Sequence, residues 1–184
     1  MSIKKYLKTD YNKYKKYGGN FISIIFFTQG FWAIFQYRIA NYIYTSKLPS
    51  FLKRILLFFC LIWQKVIEIT TGISIPASVK MGHSFYIGHF GNIILNANSV
   101  VGDNCNISQG VTLGVSGQGD KRGTPILGNN IYIGANAVIA GKIEIGNNVI
   151  IAANSLVNSS IPDNSIALGV PAKVVKKIDA NSYI

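Results

Sequence analysis

The sequence predicts a mainly β protein, a parallel β-helix that is preceded by an α-helical region. Three observations predict this class: apolar residues recur at every sixth position within 71–184, glycine and asparagine are frequent there, and residues 1–70 carry helix-like apolar patterns with few glycines. The two parts are expected to meet near Thr70–Gly72. Hydrophobic residues make up 49% of the 184 residues and charged residues 14%, which excludes disorder as the main state.

Two helices are predicted in the first part, at about 21–46 and 50–69, with Pro49 between them. The longest uninterrupted apolar run is Ile55–Trp63, whereas a membrane-spanning helix needs about 20 apolar residues. Both helices are therefore expected to pack on another part of the molecule. No export signal is expected, because no cleavage pattern of small residues follows the apolar stretch Phe21–Phe27.

The positive charge is concentrated in the first part. Residues 1–70 hold 11 basic and 2 acidic side chains, a net charge of +9, whereas 71–184 hold 7 and 5, a net charge of +2. Lysines alternate with tyrosines over Lys4–Tyr17, a pattern that fits single-stranded nucleic acid or an anionic bilayer surface. Because no nucleic-acid-binding fold accompanies the pattern, we expect either peripheral membrane association or a purely structural role, and no nucleic-acid partner.

Each six-residue step of the second part is predicted to supply one short strand, one inward apolar side chain and one turn. Three steps form one triangular coil, and stacked coils bury the apolar interior that a single coil leaves exposed. The inward residues form three uninterrupted series: Ile75, Met81 and Ile87; Val101, Ile107 and Leu113; and Ile133, Ile139, Ile145, Ile151 and Val157.

The six-residue period fails at two places. Two surplus residues fall around His89–Asn92, and residues 114–125 contain four glycines, two cations and no inward aliphatic residue. Both segments are predicted to leave the regular coil as loops. Because binding residues concentrate on loops that a rigid frame holds, a functional site is expected where the repeat breaks.

His89 is the main candidate for chemistry, since histidine suits general-base catalysis at neutral pH; the alternative is a surface histidine without a role. His83 lies in a regular step and is expected to be structural. Two histidines exclude a three-histidine zinc site within one chain, and no metal is expected. Cys60 and Cys105 lie in different sequence contexts and predict no disulfide framework.

Three cations outside the basic N-terminal segment are candidates for anion binding. Lys121 and Arg122 lie in the glycine-rich loop and suit a phosphate or a carboxylate, although a solvated charged loop is the more common explanation of such a pair. Lys173 follows Gly169–Ala172, where it could meet a nucleotide phosphate or serve as a polar cap of the last coil.

Several motifs together carry a family resemblance. They are Gly88–Gly91, Ile107–Gly114, Ile133–Ala137, Gly169–Lys173 and, upstream, Gly30–Ala33 with Tyr37–Ile39. The chain resembles the left-handed β-helix acyltransferases, which have hexapeptide repeats, and within them the serine acetyltransferase-like branch, over roughly residues 10–177. The resemblance implies a left-handed coil, acetyl-CoA as the acetyl donor, His89 as the general base, and a homotrimer with sites between adjacent prisms.

The resemblance also implies roles for residues outside the His89 segment. Asp10 resembles, by position, an aspartate of the helical region that contacts the acceptor. Gly114, Ala135 and Ala153 resemble positions whose backbone lines the groove for the pantetheine arm of the coenzyme. Lys173 is expected at the nucleotide end of that groove.

The departures from serine acetyltransferases concern charged groups of the site. Gly88 replaces the aspartate that precedes the active histidine, Ser74 replaces an aspartate that orients it, and Gly123 with Thr124 stand where that branch has Arg and His. The groups that grip a charged amino acid are therefore missing. What remains, with the segment Gly119–Gly123, resembles the polysaccharide O-acetyltransferases, so the expected acceptor is a saccharide. The candidate acceptor-binding residues are Asp10, Lys121, Arg122 and Thr124.

The expected function is direct transfer of acetyl from acetyl-CoA to a sugar hydroxyl, without an acyl-enzyme, in capsule, exopolysaccharide or O-antigen biosynthesis. Three alternatives stay open: serine O-acetylation in cysteine biosynthesis, a trimeric carbonic anhydrase that would need three zinc-binding histidines, and a non-catalytic β-helix interaction module. The expected location is cytoplasmic, at the inner face of the cytoplasmic membrane. The expected domains are a helical region, 1–70, and a β-helix domain with a C-terminal tail, 71–184.

Overall fold

The computed structural model describes residues 2–177; Met1 and residues 178–184, part of the predicted C-terminal tail, lie outside it. The helices are α1 (Ile3–Lys16), α2 (Phe21–Phe27), α3 (Gln29–Thr45) and α4 (Ser50–Thr71). The strands are β1 (Ile73–Ser74), β2 (Lys80–Met81), β3 (Tyr86–Ile87), β4 (Ile93–Leu95), β5 (Val100–Val101), β6 (Asn106–Ile107), β7 (Thr112–Gly114), β8 (Ile126–Leu127), β9 (Ile131–Ile133), β10 (Val138–Ala140), β11 (Glu144–Ile145), β12 (Val149–Ile151), β13 (Leu156–Val157), β14 (Ser165–Gly169) and β15 (Ala172–Lys177).

The strands stack into five coils whose sides are three parallel sheets. Sheet A has the order β1-β4-β7-β10-β13, sheet B has β2-β5-β8-β11, and sheet C has β3-β6-β9-β12-β14 with β15 antiparallel to β14. In each coil the chain passes from sheet A to sheet B to sheet C, so the prism has an A/B, a B/C and a C/A corner. The predicted class, a parallel β-helix after an N-terminal helical region, is confirmed.

The interior of the prism contains the predicted inward residues and a second set of buried side chains that was not predicted. Every residue of the three six-residue series is buried. A second inward side chain lies two positions before each of several of them, because side chains in a strand alternate between its faces and positions i and i−2 point the same way. These additional buried residues include Val79, Phe85, Cys105, Val111, Ile131, Ala137 and Val149.

The helical region departs from the prediction at two points. The predicted helix 21–46 is two helices, because Thr28 has extended backbone angles that no helix accommodates. Helix α1 was not predicted at all, since its buried residues are Asp10, Lys13 and Tyr14, which give no apolar period. Helix α4 ends close to the predicted place, at Gly72, whose positive φ of 67° is typical of a C-terminal helix cap.

Helices α1 and α3 cover the open end of the first coil. No earlier coil pairs with that end, so its buried backbone groups need other partners. The hydroxyl of Tyr37 donates to the carbonyl of Val79 at 2.8 Å. The hydroxyl of Tyr14 donates to the carbonyl of Ile87 at 3.0 Å and accepts from the amide of the same residue at 3.1 Å. The helices therefore take the place of a missing coil.

Candidate active site

The first break in the repeat is a two-residue bulge at the C/A corner that contains His89. The strands before and after it are in register with the next coil, Ile87 opposite Ile107 and Ile94 opposite Thr112. The six residues between Ile87 and Ile94 therefore face only four residues of the next coil. The surplus of two predicted from the sequence is confirmed, and it pushes the chain outward at His89.

The far end of the bulge is fixed to the rest of the molecule. The carbonyl of Gly91 accepts a hydrogen bond from the amide of Gly110 in the next coil at 2.9 Å. On the inner side, Gly72 at the end of α4 lies so close to Gly91 and Asn92 that a Cβ at Gly72 would come within 2.9 Å of the Asn92 amide. The amide of Ile93 also donates to the carbonyl of Gly72 at 3.0 Å. The bulge thus rests on the C-terminus of α4.

The side chains of the bulge face outward. His89 is exposed, and Phe90 beside it has 55% of its surface exposed. Within the described part of the chain, the His89 ring makes no hydrogen bond and no ion pair. The imidazole is therefore free to meet a ligand, but nothing holds it in one orientation.

A carboxylate lies on α4, one turn before the helix end that contacts the bulge. The hydroxyl of Ser74 donates to Oε1 of Glu68 at 2.7 Å, and the amide of Gln64 donates to the same oxygen at 2.8 Å. Lys65 pairs with the other oxygen. Burial raises the pKa of Glu68, but the three hydrogen bonds outweigh burial and the net pKa is lowered. Sequence reasoning missed Glu68 because its position six residues before Ser74 fits no repeat.

The residues predicted to bind the coenzyme fall into two groups. Ala135 and Ala153 lie at the C/A corner, in the column that starts at the His89 bulge. Backbone hydrogen bonds connect successive coils of this column, from the Asn136 amide to the Gln109 carbonyl and from the Asn154 amide to the Ala135 carbonyl. Lys173 is exposed at the top of this column, opposite Leu168 on β14. Five strand spacings of about 4.8 Å, from β3 to β15, separate the bulge from that level, a track of about 24 Å.

The remaining candidates lie at the other edge of sheet A. Gly114 pairs with Ala140 at the A/B corner, about 15 Å along the strand direction from the His89 column. The second break begins there and forms an exposed loop that a bridge between Ser116 and Gly123 closes. Lys121 and Arg122 are exposed at its tip.

The loop at the A/B corner borders a polar hollow of about 460 Å³. Asp120, Lys121 and Lys142 are among its lining residues, and the ammonium of Lys142 donates to the carbonyl of Asp120 at 3.2 Å. Thr124 has a structural partner, because its hydroxyl donates to the carbonyl of Asn98 at 3.0 Å. The loop therefore offers the cations of its tip to a ligand rather than Thr124.

Asp10 lies elsewhere and is inaccessible to an acceptor. Its side chain is fully buried in an ion pair with Arg38, with 2.8 Å between Arg38 Nε and Asp10 Oδ2. Its other oxygen accepts from the amide of Phe85 at 2.8 Å. Arg38 in turn donates to the carbonyls of Met81 and Gly82. The expectation that Asp10 binds the acceptor is corrected on this ground: both of its oxygens are used in capping the first coil.

The chain is similar to a hexapeptide-repeat family of bacterial transferases and to serine acetyltransferases of several bacteria. The family described as bacterial transferase hexapeptide (six repeats) matches residues 124–159. The serine acetyltransferase of Bacillus pumilus is 31% identical over 156 residues, which cover 85% of this chain and 68% of that protein. The serine acetyltransferase of Synechococcus elongatus is 32% identical over 156 residues, covering 85% of this chain and 61% of that protein. The chain thus spans about six tenths of the length of some relatives.

Solved structures of serine acetyltransferases share the fold. The enzyme of Neisseria gonorrhoeae superposes with a TM-score of 0.82 at 31% identity, covering 95% of this chain and 65% of that one. A serine acetyltransferase in complex with CoA superposes with a TM-score of 0.79 at 29% identity, covering 95% of this chain and 70% of that one. The likeness includes both the helical region and the coils.

Proposed function

Because the chain belongs to the hexapeptide-repeat acyltransferases, the family of the serine acetyltransferases, we propose that it transfers an acetyl group from acetyl-CoA to the hydroxyl of L-serine. The observation that carries the proposal is the C/A corner, where the exposed imidazole of His89 stands at the start of a track about 24 Å long. Ala135 and Ala153 present small side chains along this track, and Lys173 offers a cation at its far end.

The expectation of a saccharide acceptor is wrong. The relatives and solved structures named above are serine acetyltransferases at 29–32% identity. The expectation depended on missing charged residues at fixed motif positions. That argument fails physically because charge can be supplied from other positions: Lys121 and Arg122 are exposed on the loop.

The proposed reaction needs one proton carrier and no covalent intermediate. His89 accepts the hydroxyl proton of serine while the hydroxyl oxygen attacks the thioester carbonyl of acetyl-CoA. The new C–O bond forms, the C–S bond breaks, and the thiolate of CoA leaves with the proton that His89 carried. Acceptor and donor meet directly, so no nucleophilic side chain is required.

A homotrimer would complete this site, and we include it in the proposal. Within one chain, the His89 column and the cations of the loop lie at opposite edges of sheet A. Prisms packed side by side about a threefold axis would bring the C/A corner of one chain to the A/B corner of its neighbour. Lys121 and Arg122 would then face the serine carboxylate. Light scattering of the purified protein should give the mass of three chains, and a monomer would contradict this part.

The test of the activity is release of CoA thiol in the presence of acetyl-CoA and L-serine, with O-acetylserine identified by mass spectrometry. We expect turnover by the wild type and a loss of about 10²–10⁴-fold in His89→Ala, the range for removal of a general base. His83→Ala is the matched control, because the His83 ring lies at a regular corner, where it is hydrogen-bonded to the side chain of Ser84. Turnover with sugars but not with serine, or an active His89→Ala, would contradict the proposal.

We also propose that the helical region binds an anionic bilayer surface. No helix within residues 2–177 is long and apolar enough to span a membrane. Helix α4, however, exposes an apolar stripe within about 120° of its circumference. The stripe comprises Phe51, Leu52, Ile55, Phe58, Phe59, Ile62, Val66 and Ile69, with exposed fractions from 38% to 84%.

Charge selects a bilayer rather than a second copy of the same surface. Both acidic residues of the helical region are paired within it, Asp10 with Arg38 and Glu68 with Lys65. The surface therefore offers both apolar side chains and cations. The cations repel a second copy of the same surface and attract anionic lipid. In flotation assays, the wild type should rise with vesicles that contain phosphatidylserine, and Phe51→Ser with Ile69→Ser should not. Equal flotation with neutral vesicles, or a change of oligomeric mass in the double variant, would contradict the proposal.

A further inference from the structure

The His89 imidazole lacks a carboxylate partner at the two positions where the family resemblance places one. Gly88 has no side chain, and Ser74 carries a hydroxyl where a carboxylate is expected from the family resemblance. A neutral histidine that acts as a base at one ring nitrogen needs its other ring N–H held by an acceptor, which sets the tautomer and the ring orientation. The question is which group provides that acceptor.

The hydroxyl of Ser74 is connected to a carboxylate. Ser74 donates its only hydroxyl proton to Glu68 at 2.7 Å, so the lone pairs on its oxygen remain available to accept a hydrogen bond. Glu68 has 18% of its side-chain surface exposed, and within the described residues its partners are Ser74, Gln64 and Lys65. The lowered pKa of Glu68 keeps it ionised at neutral pH.

The chain geometry brings this pair to the bulge. Gly72 lies one helical turn after Glu68 and two residues before Ser74, and it is the residue that contacts Gly91 and Asn92. His89 is two residues before Gly91, a backbone distance of at most about 7 Å. Catalytic hydrogen bonds are often long before substrate binds, so an exposed, unpartnered ring at this place suits a contact that forms in the complex.

We infer that Glu68, acting through Ser74, is the positioning residue for His89. The ring N–H of His89 donates to the hydroxyl oxygen of Ser74, which donates to the Glu68 carboxylate, and the other ring nitrogen faces the serine hydroxyl. The carboxylate has thus moved from a strand to the preceding helix, with a hydroxyl as the link. The kinetic test of this inference rests on the proposed function, whereas the spectroscopic test needs only the His89 ring.

The spectroscopic test follows the ring ¹⁵N chemical shifts of both histidines by NMR, first without ligand and then with CoA and L-serine added. The chain has two histidines, so His83 serves as an internal control. In the wild type one tautomer of the His89 ring should dominate, whereas in Glu68→Gln the two ring nitrogens should approach the averaged shifts of a freely exchanging imidazole, with His83 unchanged. Glu144→Gln, which alters an exposed acid on β11, should change neither ring. His89 ring shifts that are the same in the wild type and in Glu68→Gln, with and without ligand, would overturn the inference, whatever the enzymatic activity of the protein.

The kinetic test separates positioning from acceptor binding. Glu68→Gln should lower kcat by about 100-fold with little change in the KM for serine, because it disturbs the base and not the acceptor. Glu68→Gln combined with Ser74→Asp places a carboxylate on the strand and should recover most of the lost kcat. A raised KM at constant kcat would instead assign Glu68 to the serine ammonium and overturn the inference. A wild type without serine turnover would refute the proposed function but leave the NMR result to decide on Glu68.

Discussion

Two corners of the same prism are built from the same repeat and differ in regularity. At the B/C corner, four asparagines with φ between 55° and 58° stack on one another. Each of the first three donates its side-chain amide to the side-chain oxygen of the next, at 2.8 or 2.9 Å. These residues are Asn104, Asn130, Asn148 and Asn164. The ladder continues to the helices, since the ammonium of Lys13 donates to Asn104 at 2.7 Å.

The C/A corner has the same kind of column with two interruptions. Glycine stands at position 110, so the column has no side-chain amide there. The remaining link, from Asn136 to Asn154, is 3.3 Å long and exposed. Below it lies the two-residue bulge of His89. The comparison teaches that an unbroken repeat produces a stiff structural ladder, whereas the broken one frees side chains for a ligand.

The largest expected effect comes from repairing the broken corner. Deleting His89 and Phe90 leaves four residues opposite four in the next coil, which restores the repeat. We expect acetyl transfer to fall by about 10³-fold or more, because the base is lost, while the urea midpoint of unfolding stays within the error of the wild type. An unfolded deletion variant would show that the bulge is needed for folding and would contradict the distinction between the corners.

The next effect comes from breaking the regular corner. Asn130→Ala removes two hydrogen bonds of the ladder. It also leaves an alanine in a left-handed backbone conformation, which asparagine tolerates better than alanine. We expect a loss of about 3 kcal/mol in the free energy of unfolding. Asn136→Ala is the matched control at the other corner and should cost about 1–2 kcal/mol, since its backbone strain is the same and its hydrogen bond is weaker. Equal losses in urea denaturation would mean that the ladder adds nothing.

The smallest expected effect concerns Lys13, where the ladder meets α1. Burial lowers the pKa of Lys13 to about 8, below the ordinary value of 10.5. Between these two pH values the unfolded chain binds more protons than the folded one, so this lysine makes stability increase with pH. From pH 7 to pH 9 the wild type should gain about 1 kcal/mol relative to Lys13→Met.

Cys105, whose pKa burial raises to about 12, stays protonated in the folded protein between pH 7 and pH 9, so its opposing contribution comes from the unfolded chain and is removed by taking this difference. The measurement is urea denaturation of both proteins at pH 7, 8 and 9. A constant difference across this range would show that Lys13 titrates as an exposed lysine does.

Much of the fold follows from periodicity, and the failures have a common cause. The inward residues could be predicted because burial in a stacked coil repeats every six positions. Helix α1 could not, since its packing face carries Asp10 and Lys13, whose partners Arg38 and Asn104 are 28 and 91 residues away. A local pattern cannot reveal a polar side chain that becomes satisfied only by a distant group.

The same limit applies to the candidate site. The length of the break identified His89, and counting residues was sufficient because each surplus residue must leave the coil. The acceptor was predicted wrongly from missing charges, since the count of charges at motif positions ignores charges brought from elsewhere. The positions of Ala135, Ala153 and Lys173 along one corner agree with what the groove requires, and their binding roles stay predictions.

The amino-acid sequence by itself determined the parallel β-helix and the location of its two interruptions, because a six-residue period permits one way of burying its apolar side chains. Tertiary structure alone decided that Asp10 is a buried cap rather than a ligand and that Glu68 reaches Ser74 beside the bulge. Both are pairings of polar groups across elements, and the free energy of such a pairing depends on a distance and a burial that exist only after the helices have docked on the first coil.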